Sequence, residues 1–278
     1  MHLPHTALLS ELTVLASTDS TNTTLLARGA SAEEFTTVVT TNQTAGKGRL
    51  GRVWVSHPGK GVAISVLLRP RRPNGAPLEL ATWSWLPLLA GLAMTRSVSE
   101  LLGNSASRSQ AGASTTQSPS TTLKWPNDVL VGGEKVSGIL AELLPSGDGL
   151  VIGAGVNLLH TADELPTPTS TSLALQGTTV GGELLVDAVC SVYLRELRGL
   201  YRSFTAFDGD AQLSGLWASV SERCSTLGAP VRVHLPAGPA LVGEAVDLDS
   251  SGRLRIRSGS DAVLTAVSAG DVEHLRYI

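Results

Sequence analysis

Cysteine is scarce in this sequence, and its six histidines form no recognisable metal-binding motif. The two cysteines, Cys190 and Cys224, lie far apart and outside any C-x-x-C spacing, and no H-E-x-x-H motif occurs. This pattern excludes a disulfide framework and a zinc ribbon and is typical of a protein whose thiols stay reduced. We therefore predict no metal site and expect a cytoplasmic location.

Excess positive charge and long hydrophobic runs are also absent. The 278 residues carry a formal net charge of −3, which argues against nucleic-acid binding through bulk electrostatics. No apolar run reaches the length of a membrane span, and no basic region precedes the short apolar stretch near the N-terminus. With 42% hydrophobic residues, the chain can fill a substantial core. We expect a soluble protein with one large domain, or with a large and a small one.

The stretch from Thr41 to Trp54 combines three glycines with three cations. The glycines are Gly46, Gly48 and Gly51, and the cations are Lys47, Arg49 and Arg52. Glycine lets backbone N–H groups approach an anion, and the cations attract that anion, arginine through a bidentate fork. Runs rich in β-branched residues at 35–40 and 61–68 predict strands on either side. This stretch, called the glycine loop below, is predicted to bind a small anion.

Two other interpretations of the glycine loop are weaker. Its glycines match the G-x-G-x-x-G pattern of dinucleotide sites, but the chain continues into His57-Pro58-Gly59 instead of opening a helix. Three cations in one loop do not form a nucleic-acid surface either.

Small polar residues precede the first substantial helix. The run Leu12–Ser17 predicts a strand, and Ser20-Thr21-Asn22 heads a helical pattern that stops at Gly29. These side chains either cap the helix or bind the polar head of a ligand at its N-terminus, and the two roles are compatible.

The middle of the chain contains a sharp change of composition. Helical periodicity extends over 81–102, with Pro87 marking a start or a kink. Residues 103–122 are rich in Ser, Thr, Ala, Gly and Gln and nearly free of bulky apolar side chains. Because such a segment cannot bury a core, we predict a disordered insertion there.

The residues from 123 to 158 predict a hairpin followed by a buried strand. A Gly-Gly dipeptide separates the two halves of the hairpin, Lys135 begins its second strand, and Gly138 lies inside that strand. The buried strand ends at the polar Asn157. Ordinary alternatives stay open: an exposed lysine for Lys135, turn chemistry for Asp128, and backbone hydrogen bonding for Asn157.

The remainder of the chain changes from helices to short strands. Amphipathic patterns predict helices over 182–200 and 208–220. From Thr226 onward, five short runs separated by turn signals predict a small β-barrel. We therefore divide the chain into a domain of residues 1–225 and a C-terminal domain of residues 226–278.

Taken together, five segments in this order resemble the biotin–protein ligases. The matching segments are Ser20-Thr21-Asn22, the run from Gln43 to Arg52, Lys124-Trp125-Pro126-Asn127-Asp128, the run from Lys135 to Leu140, and Gly153-Ala154-Gly155-Val156-Asn157. The tail from about Thr226 also fits, so that the resemblance covers nearly the whole chain. Each segment alone is weak evidence for the family, but the occurrence of all five in this order is specific.

The resemblance implies an α+β fold and a two-step reaction. The fold is a mixed β-sheet flanked by helices, of the class II aminoacyl-tRNA synthetase-like, biotin–lipoate ligase type, with a small SH3-like β-barrel at the C-terminus. In the reaction, biotin and ATP, which brings Mg²⁺, form biotinoyl-AMP and pyrophosphate. The biotinoyl group then passes to one lysine of a biotin carboxyl carrier domain in an acyl-CoA or pyruvate carboxylase.

The resemblance also implies roles for individual residues. Lys135 bridges the biotin carboxylate and the α-phosphate, Arg49 neutralises phosphate charge, and Asp128 orients Lys135 or assists with magnesium or protons. The residues implied for biotin are Ser20, Thr21, Asn22, Gln43, Gly46, Lys47, Gly48, Arg49, Trp54, Lys135 and Gly138. Those implied for ATP and the adenylate are Arg49, Arg52, Trp54, Lys135 and Asn157, with Asn157 facing the adenine.

The sequence departs from the family pattern in the glycine loop and before Ser20, and two other functions stay open beside the biotin–protein ligase prediction. Lys47 stands where many relatives have arginine, which keeps the charge but loses the fork. Only 19 residues precede Ser20, too few for the DNA-binding domain of some relatives, so we predict no DNA binding.

The runner-up function is a lipoate–protein ligase or a related acyl-transfer enzyme, and a third is a regulatory protein that binds the adenylate without turnover.

Overall fold

A seven-stranded mixed sheet forms the framework of the larger part of the chain. A computed structural model describes residues 1–55, 57–109, 119–236, 238–259 and 263–275, with the backbone alone for 104–109. The strands are β1 (Leu12–Leu15), β2 (Thr37–Thr40), β3 (Gly61–Leu68), β4 (Thr121–Lys124), β5 (Asp128–Val131), β6 (Glu134–Leu143) and β7 (Leu150–Asn157). Their order is β1-β2-β3-β7-β6-β5-β4, in which β1 and β2 are parallel and all other neighbours antiparallel.

Helices cover both faces of this sheet. They are α1 (Pro4–Ala7), α2 (Thr21–Arg28), α3 (Leu86–Ser109), α4 (Gly182–Ala206) and α5 (Leu216–Arg223), with single 3₁₀ turns at Arg49–Gly51, Leu80–Trp85 and Ala162–Glu164. Helices α3 and α4 pack together, and α3 contacts β4, β5 and β6, whereas α2 contacts β2, β3 and β7. Every residue of β3 is buried, as its run of β-branched and apolar residues predicts. None of the described helices is both long and apolar enough to cross a membrane.

The C-terminal strands form a second, antiparallel sheet consistent with an SH3-like fold. They are β8 (Pro230–His234), β9 (Leu241–Leu248), β10 (Leu254–Ser258), β11 (Val263–Val267) and β12 (Asp271–His274), in the order β11-β10-β9-β8-β12. The division of the chain between residues 225 and 226 stays a prediction.

Three tryptophans of the larger part of the chain hold the turn that joins β9 to β10. Their indole Nε1 atoms donate to backbone carbonyls of that region: Trp85 to Ser250 at 2.8 Å, Trp125 to Gly252 at 3.0 Å and Trp217 to Leu248 at 2.9 Å. Each indole combines a large apolar surface with one directional donor. The second sheet is thereby fixed against α3 and α5 and beside the hairpin of β5 and β6.

The structure corrects two predicted boundaries of regular elements. The second amphipathic helix begins at Leu216 rather than residue 208, because Asp208, Gly209 and Gly215 have positive φ angles that interrupt a helix. Strand β2 begins at Thr37 because Phe35 has a φ of 66°.

The predicted insertion at 103–122 is also too wide. Helix α3 continues to Ser109, and Thr121 and Thr122 already belong to β4, where β-branched residues fit a sheet. Most of the remainder of the predicted insertion, residues 110–118, lies outside the described residues.

Replacing Trp85 with Phe tests the anchoring of the second sheet. The indole is 1% exposed, so Trp85→Phe leaves the Ser250 carbonyl without its donor and a gap beside it. We expect the free energy of unfolding to fall by about 1–3 kcal/mol, measured by urea denaturation. The control is Leu80→Ala at a 62% exposed position, which should change it by less than about 0.5 kcal/mol. Equal effects of the two substitutions would contradict the anchoring role.

Candidate active site

One pocket is lined by residues from the N-terminus of α2, the glycine loop, the hairpin of β5 and β6, strand β7 and the start of β12. The space that it encloses, including the part open to solvent, is about 760 Å³. The predicted site residues that line it are Ser20, Thr21, Asn22, Gln43, Lys47, Gly48, Arg49, Arg52, Trp54, Asp128, Lys135 and Gly138. The sheet thus brings together residues that are separated by more than a hundred positions in the sequence.

Two predicted residues do not line this pocket. Gly46 lies at the base of the glycine loop, where its carbonyl accepts from the Trp54 N–H at 2.9 Å and a Cβ would lie 2.5 Å from the Trp54 carbonyl oxygen. Asn157 is buried, and its side-chain amide donates to the Thr171 carbonyl at 3.0 Å. The backbone hydrogen-bonding alternative therefore describes its amide nitrogen, and the contact of Asn157 with the adenine stays a prediction.

The glycine loop is a small hairpin whose cations contact different elements. The Gly48 N–H donates to the Arg52 carbonyl at 2.7 Å, and Leu50 and Gly51 turn the chain with φ angles of 55° and 75°. Lys47 Nζ lies 4.0 Å from Glu142, Arg49 donates to Asn127 Oδ1 at 3.0 Å, and Arg52 pairs with Asp271 of β12. All three cations of the loop are therefore held at or beside the pocket.

Lys135 and Asp128 form an ion pair on the neighbouring strands β5 and β6. Lys135 Nζ lies 2.7 Å from Asp128 Oδ1 and 5.9 Å from the centroid of the Trp54 ring. Burial lowers the pKa of Arg49 nearby, although the Asp128 carboxylate opposes that shift. The carboxylate thus partly balances the cations of Lys135 and Arg49 in a half-buried setting.

The indole of Trp54 lies flat across two glycines of the sheet. A Cβ at Gly155 would lie 2.7 Å from its Cζ2 and Nε1 atoms, and a Cβ at Gly138 would lie 3.2 Å from its Cζ3 atom. A Cβ at Gly155 would displace the ring, and a Cβ at Gly138 would crowd it. The glycines of β6 and β7 therefore support an aromatic wall built from the protein itself.

Neutral polar groups of the pocket form a hydrogen-bonded network with the neighbouring Ser65. The Thr21 N–H donates to Gln43 Oε1 at 2.9 Å. The buried Ser65 hydroxyl lies 2.6 Å from Asn22 Oδ1 and 2.7 Å from Thr21 Oγ1. The Ser20 hydroxyl also caps α2 by accepting from the Thr23 N–H at 3.5 Å. Ser20 therefore both caps the helix and lines the pocket, two roles that the sequence analysis found compatible.

Three contributing residues were missed from the sequence. Ser65 is a polar residue inside the apolar run of β3, and Asn127 lies inside a matching segment, so both carried a local signal. Asp271 lines the pocket from the C-terminal sheet, and no local signal in the sequence indicated this.

The residues present do not form a dedicated metal site. The described part of the chain contains no group of three or more His, Cys, Asp or Glu side chains placed to hold a metal ion. The carboxylates that line the pocket, Asp128 and Asp271, each pair with a cation. A divalent ion would therefore depend on ligands from a bound phosphate.

Comparison with known proteins identifies the family. A model described as the Biotin/lipoate A/B protein ligase family matches residues 14–157, and one described as the biotin protein ligase C terminal domain matches residues 226–275. A biotin–[acetyl-CoA-carboxylase] ligase of Mycobacterium tuberculosis is 38% identical over 268 residues, covering 96% of this chain and 90% of that protein. The chain belongs to the biotin protein ligase family.

Other biotin protein ligases agree in sequence and in fold. A biotin–[acetyl-CoA-carboxylase] ligase of Paracoccus denitrificans is 30% identical, covering 88% of this chain and 93% of that protein. The structure of a biotin protein ligase from Aquifex aeolicus in complex with biotin and ATP superposes with a TM-score of 0.72 at 25% identity, covering 96% of this chain and 99% of that one. The fold inferred from the sequence is thus confirmed.

Replacing Gly155 with Ala tests whether the Trp54 indole rests on β7 in solution. The added methyl group occupies the space of the ring, so the indole must move away from the sheet. We expect a shift in tryptophan emission that is absent when Gly155→Ala is made in a Trp54→Phe background. Gly103→Ala is the control, because a Cβ there meets nothing within 4 Å. Wild-type emission from Gly155→Ala would show that the indole lies elsewhere.

Proposed function

We propose that this chain activates biotin as biotinoyl-5′-AMP and transfers the biotinoyl group to a lysine of a biotin carboxyl carrier domain. The observation that supports this most directly is the pocket itself. Its lining combines the cations Lys135, Arg49 and Arg52 with neutral donors and acceptors. Biotin needs both kinds of partner, since it has a carboxylate at one end and an uncharged ureido ring at the other.

The first step joins two anions. A biotin carboxylate oxygen attacks the α-phosphorus of ATP, the new O–P bond forms, and the bond to the leaving pyrophosphate breaks. Lys135, held at 2.7 Å by Asp128, bridges the carboxylate and the α-phosphate. Arg49 and Arg52 balance the charge that grows on the phosphates, which is the electrostatic contribution expected to dominate such a reaction.

The second step transfers the acyl group. The neutral amine of the carrier lysine attacks the acyl carbon, the C–N bond forms, and the C–O bond to AMP breaks. The attacking nitrogen loses one proton to solvent or to a nearby base and keeps the other as the amide N–H. In this proposal Asp128 positions Lys135 and balances its charge.

The uncharged end of biotin is bound by the polar network of α2 and its neighbours. Ser20, Thr21, Asn22 and Gln43 offer hydroxyl and amide groups without net charge. An uncharged ureido ring is better matched by such groups than by a cation, because an unpaired charge would remain desolvated. The indole of Trp54 covers the apolar part between the two ends.

Magnesium, the carrier and the cellular location belong to the proposal as well. Mg²⁺ would arrive on the triphosphate, since the pocket has no free carboxylate cluster for it. The carrier is the biotin carboxyl carrier domain of an acyl-CoA or pyruvate carboxylase. Two buried free cysteines are compatible with a reducing cytoplasm. The expectation that the chain does not bind DNA stays a prediction.

Biotin is favoured over lipoate as the substrate. One family model spans ligases for both acids, but the model that matches residues 226–275 describes biotin protein ligases. Two relatives at 30% identity or more are also biotin ligases.

The test is mass spectrometry of a biotin carboxyl carrier domain incubated with the protein, biotin and MgATP. We expect one biotinyl group to be added by the wild type, and the rate to fall by about 100-fold or more with Lys135→Ala or Arg49→Ala. Lys60→Ala is the matched control, because this lysine pairs with Glu164 at 3.4 Å and does not line the pocket. Its rate should stay close to that of the wild type.

The outcomes distinguish an error in the assigned site residues from an error in the proposed activity. Full activity of Lys135→Ala would contradict the assigned site. An unmodified carrier with biotinoyl-AMP in the mixture would indicate the wrong carrier, whereas absence of both, with folded protein, would contradict biotin activation.

A further inference from the structure

A buried serine lies directly behind the polar lining of the pocket. Ser65 belongs to β3, is 0% exposed and does not line the pocket itself. Its partner on β7 is Gly153, which leaves the space beside it to the side chains of α2. The Ser65 hydroxyl reaches two residues that do line the pocket, Asn22 through Oδ1 at 2.6 Å and Thr21 through Oγ1 at 2.7 Å.

The hydrogen of the Ser65 hydroxyl decides how the Thr21 hydroxyl is oriented. Ser65 donates toward Asn22 Oδ1, which can only accept, and toward Thr21 Oγ1. Because Thr21 Oγ1 accepts on the side of Ser65, its own hydrogen points to Gln43 Oε1 at 3.2 Å. The second lone pair of Thr21 Oγ1 is left for a ligand, so that Thr21 faces the pocket as an acceptor.

Gln43 faces the pocket with the opposite polarity. Its Oε1 atom accepts from the Thr21 N–H at 2.9 Å and from the Thr21 hydroxyl. The amide nitrogen Nε2, which lies beside Gly46, is therefore the end of Gln43 that can donate to a ligand. An acceptor next to a donor matches a cyclic urea, which has N–H groups beside a carbonyl, whereas a dithiolane ring has neither group.

We propose that Ser65 is a positioning residue that makes the pocket specific for a ureido N–H, by holding the Thr21 hydroxyl as an acceptor. The inference rests on the proposed function, because it requires that the ureido ring of biotin contact Thr21. Without the Ser65 hydroxyl, the Thr21 hydroxyl is free to turn its hydrogen toward the ureido N–H, so that two donors face each other. Biotin then binds more weakly, while the cations that meet its carboxylate are unchanged.

Removal of the Ser65 hydroxyl has a second effect, which does not depend on biotin. Asn22 Oδ1 loses its donor, although Asn22 Nδ2 still donates to Glu142 at 2.7 Å and to the Leu140 carbonyl at 3.3 Å. This loss is the same with and without biotin, so it lowers the free energy of unfolding and cancels in the free energy of binding. The change at Thr21, in contrast, affects binding.

The experiment is a double-mutant cycle in which calorimetry gives the affinity for biotin. It compares the wild type, Ser65→Ala, Thr21→Val and the protein with both substitutions. Ser97→Ala is the matched control, because Ser97 is also 0% exposed and donates to the Val189 carbonyl at 3.2 Å away from the pocket. Ser65→Cys keeps a weak donor of similar size and is measured in both backgrounds as well, in case Ser65→Ala does not fold.

We expect Ser65→Ala to weaken biotin binding by about tenfold, the contribution of one hydrogen bond, and Ser65→Cys to weaken it by less. In the Thr21→Val background either substitution should cost less than about twofold, because no hydroxyl remains to be oriented. In carrier biotinylation, KM for biotin should rise with the loss of affinity, whereas kcat and KM for ATP should stay within about twofold of the wild type. Ser97→Ala should bind biotin like the wild type.

Two results would overturn the role of Ser65. In one, Ser65→Ala and Ser65→Cys bind biotin as tightly as the wild type. In the other, they lose the same affinity in the Thr21→Val background, which would show that the effect does not pass through Thr21. Failure of the proposed function looks different, since the wild type itself would then not bind biotin.

Discussion

Mutual repulsion between two substrates that are both anions is the constraint on which this structure depends. A carboxylate and a triphosphate approach one another only where fixed cations outweigh their charges. The chain meets this requirement with Lys135 from β6 and with Arg49 and Arg52 from the glycine loop. Each of these cations already has a protein partner, namely Asp128, Asn127 and Asp271. The cations are thus preorganised in the empty pocket and can exchange those partners for phosphate oxygens.

The sheet makes this arrangement possible through glycine positions where a larger residue would displace or crowd a neighbouring side chain. Gly138 and Gly155 lie beside each other on β6 and β7 and support the Trp54 indole, while Gly153 admits the Asn22 amide. The apolar residues Val136 and Ile139 of β6 and Ile152 of β7 are buried, and α3 packs against β6 while α2 packs against β7. The rigid core and the open pocket are therefore two aspects of one sheet.

Local patterns in the sequence predicted most of the elements and most of the candidate site. Strand β3, the hairpin of β5 and β6, and the cations of the glycine loop all follow from residue types at short range. Asp271 could not be predicted, because its place beside Arg52 depends on how the second sheet docks. The role of Asn157 could not be decided from the sequence, because a polar residue at a strand end fits ligand contact and backbone hydrogen bonding equally well. Two of the boundary errors arose where positive φ angles near residues 35 and 208–215 interrupted a regular pattern.

The most direct measurement of the central claim is biotin-dependent exchange of labelled pyrophosphate into ATP, with no carrier present. If the pocket joins the biotin carboxylate to the α-phosphate, label should enter ATP only when biotin is added, and lipoate should not replace it. The exchange should also fall by about 100-fold with Lys135→Ala, because the bridging cation acts in this step. Exchange that is independent of biotin, or that proceeds fully without the Lys135 ammonium, would contradict the account.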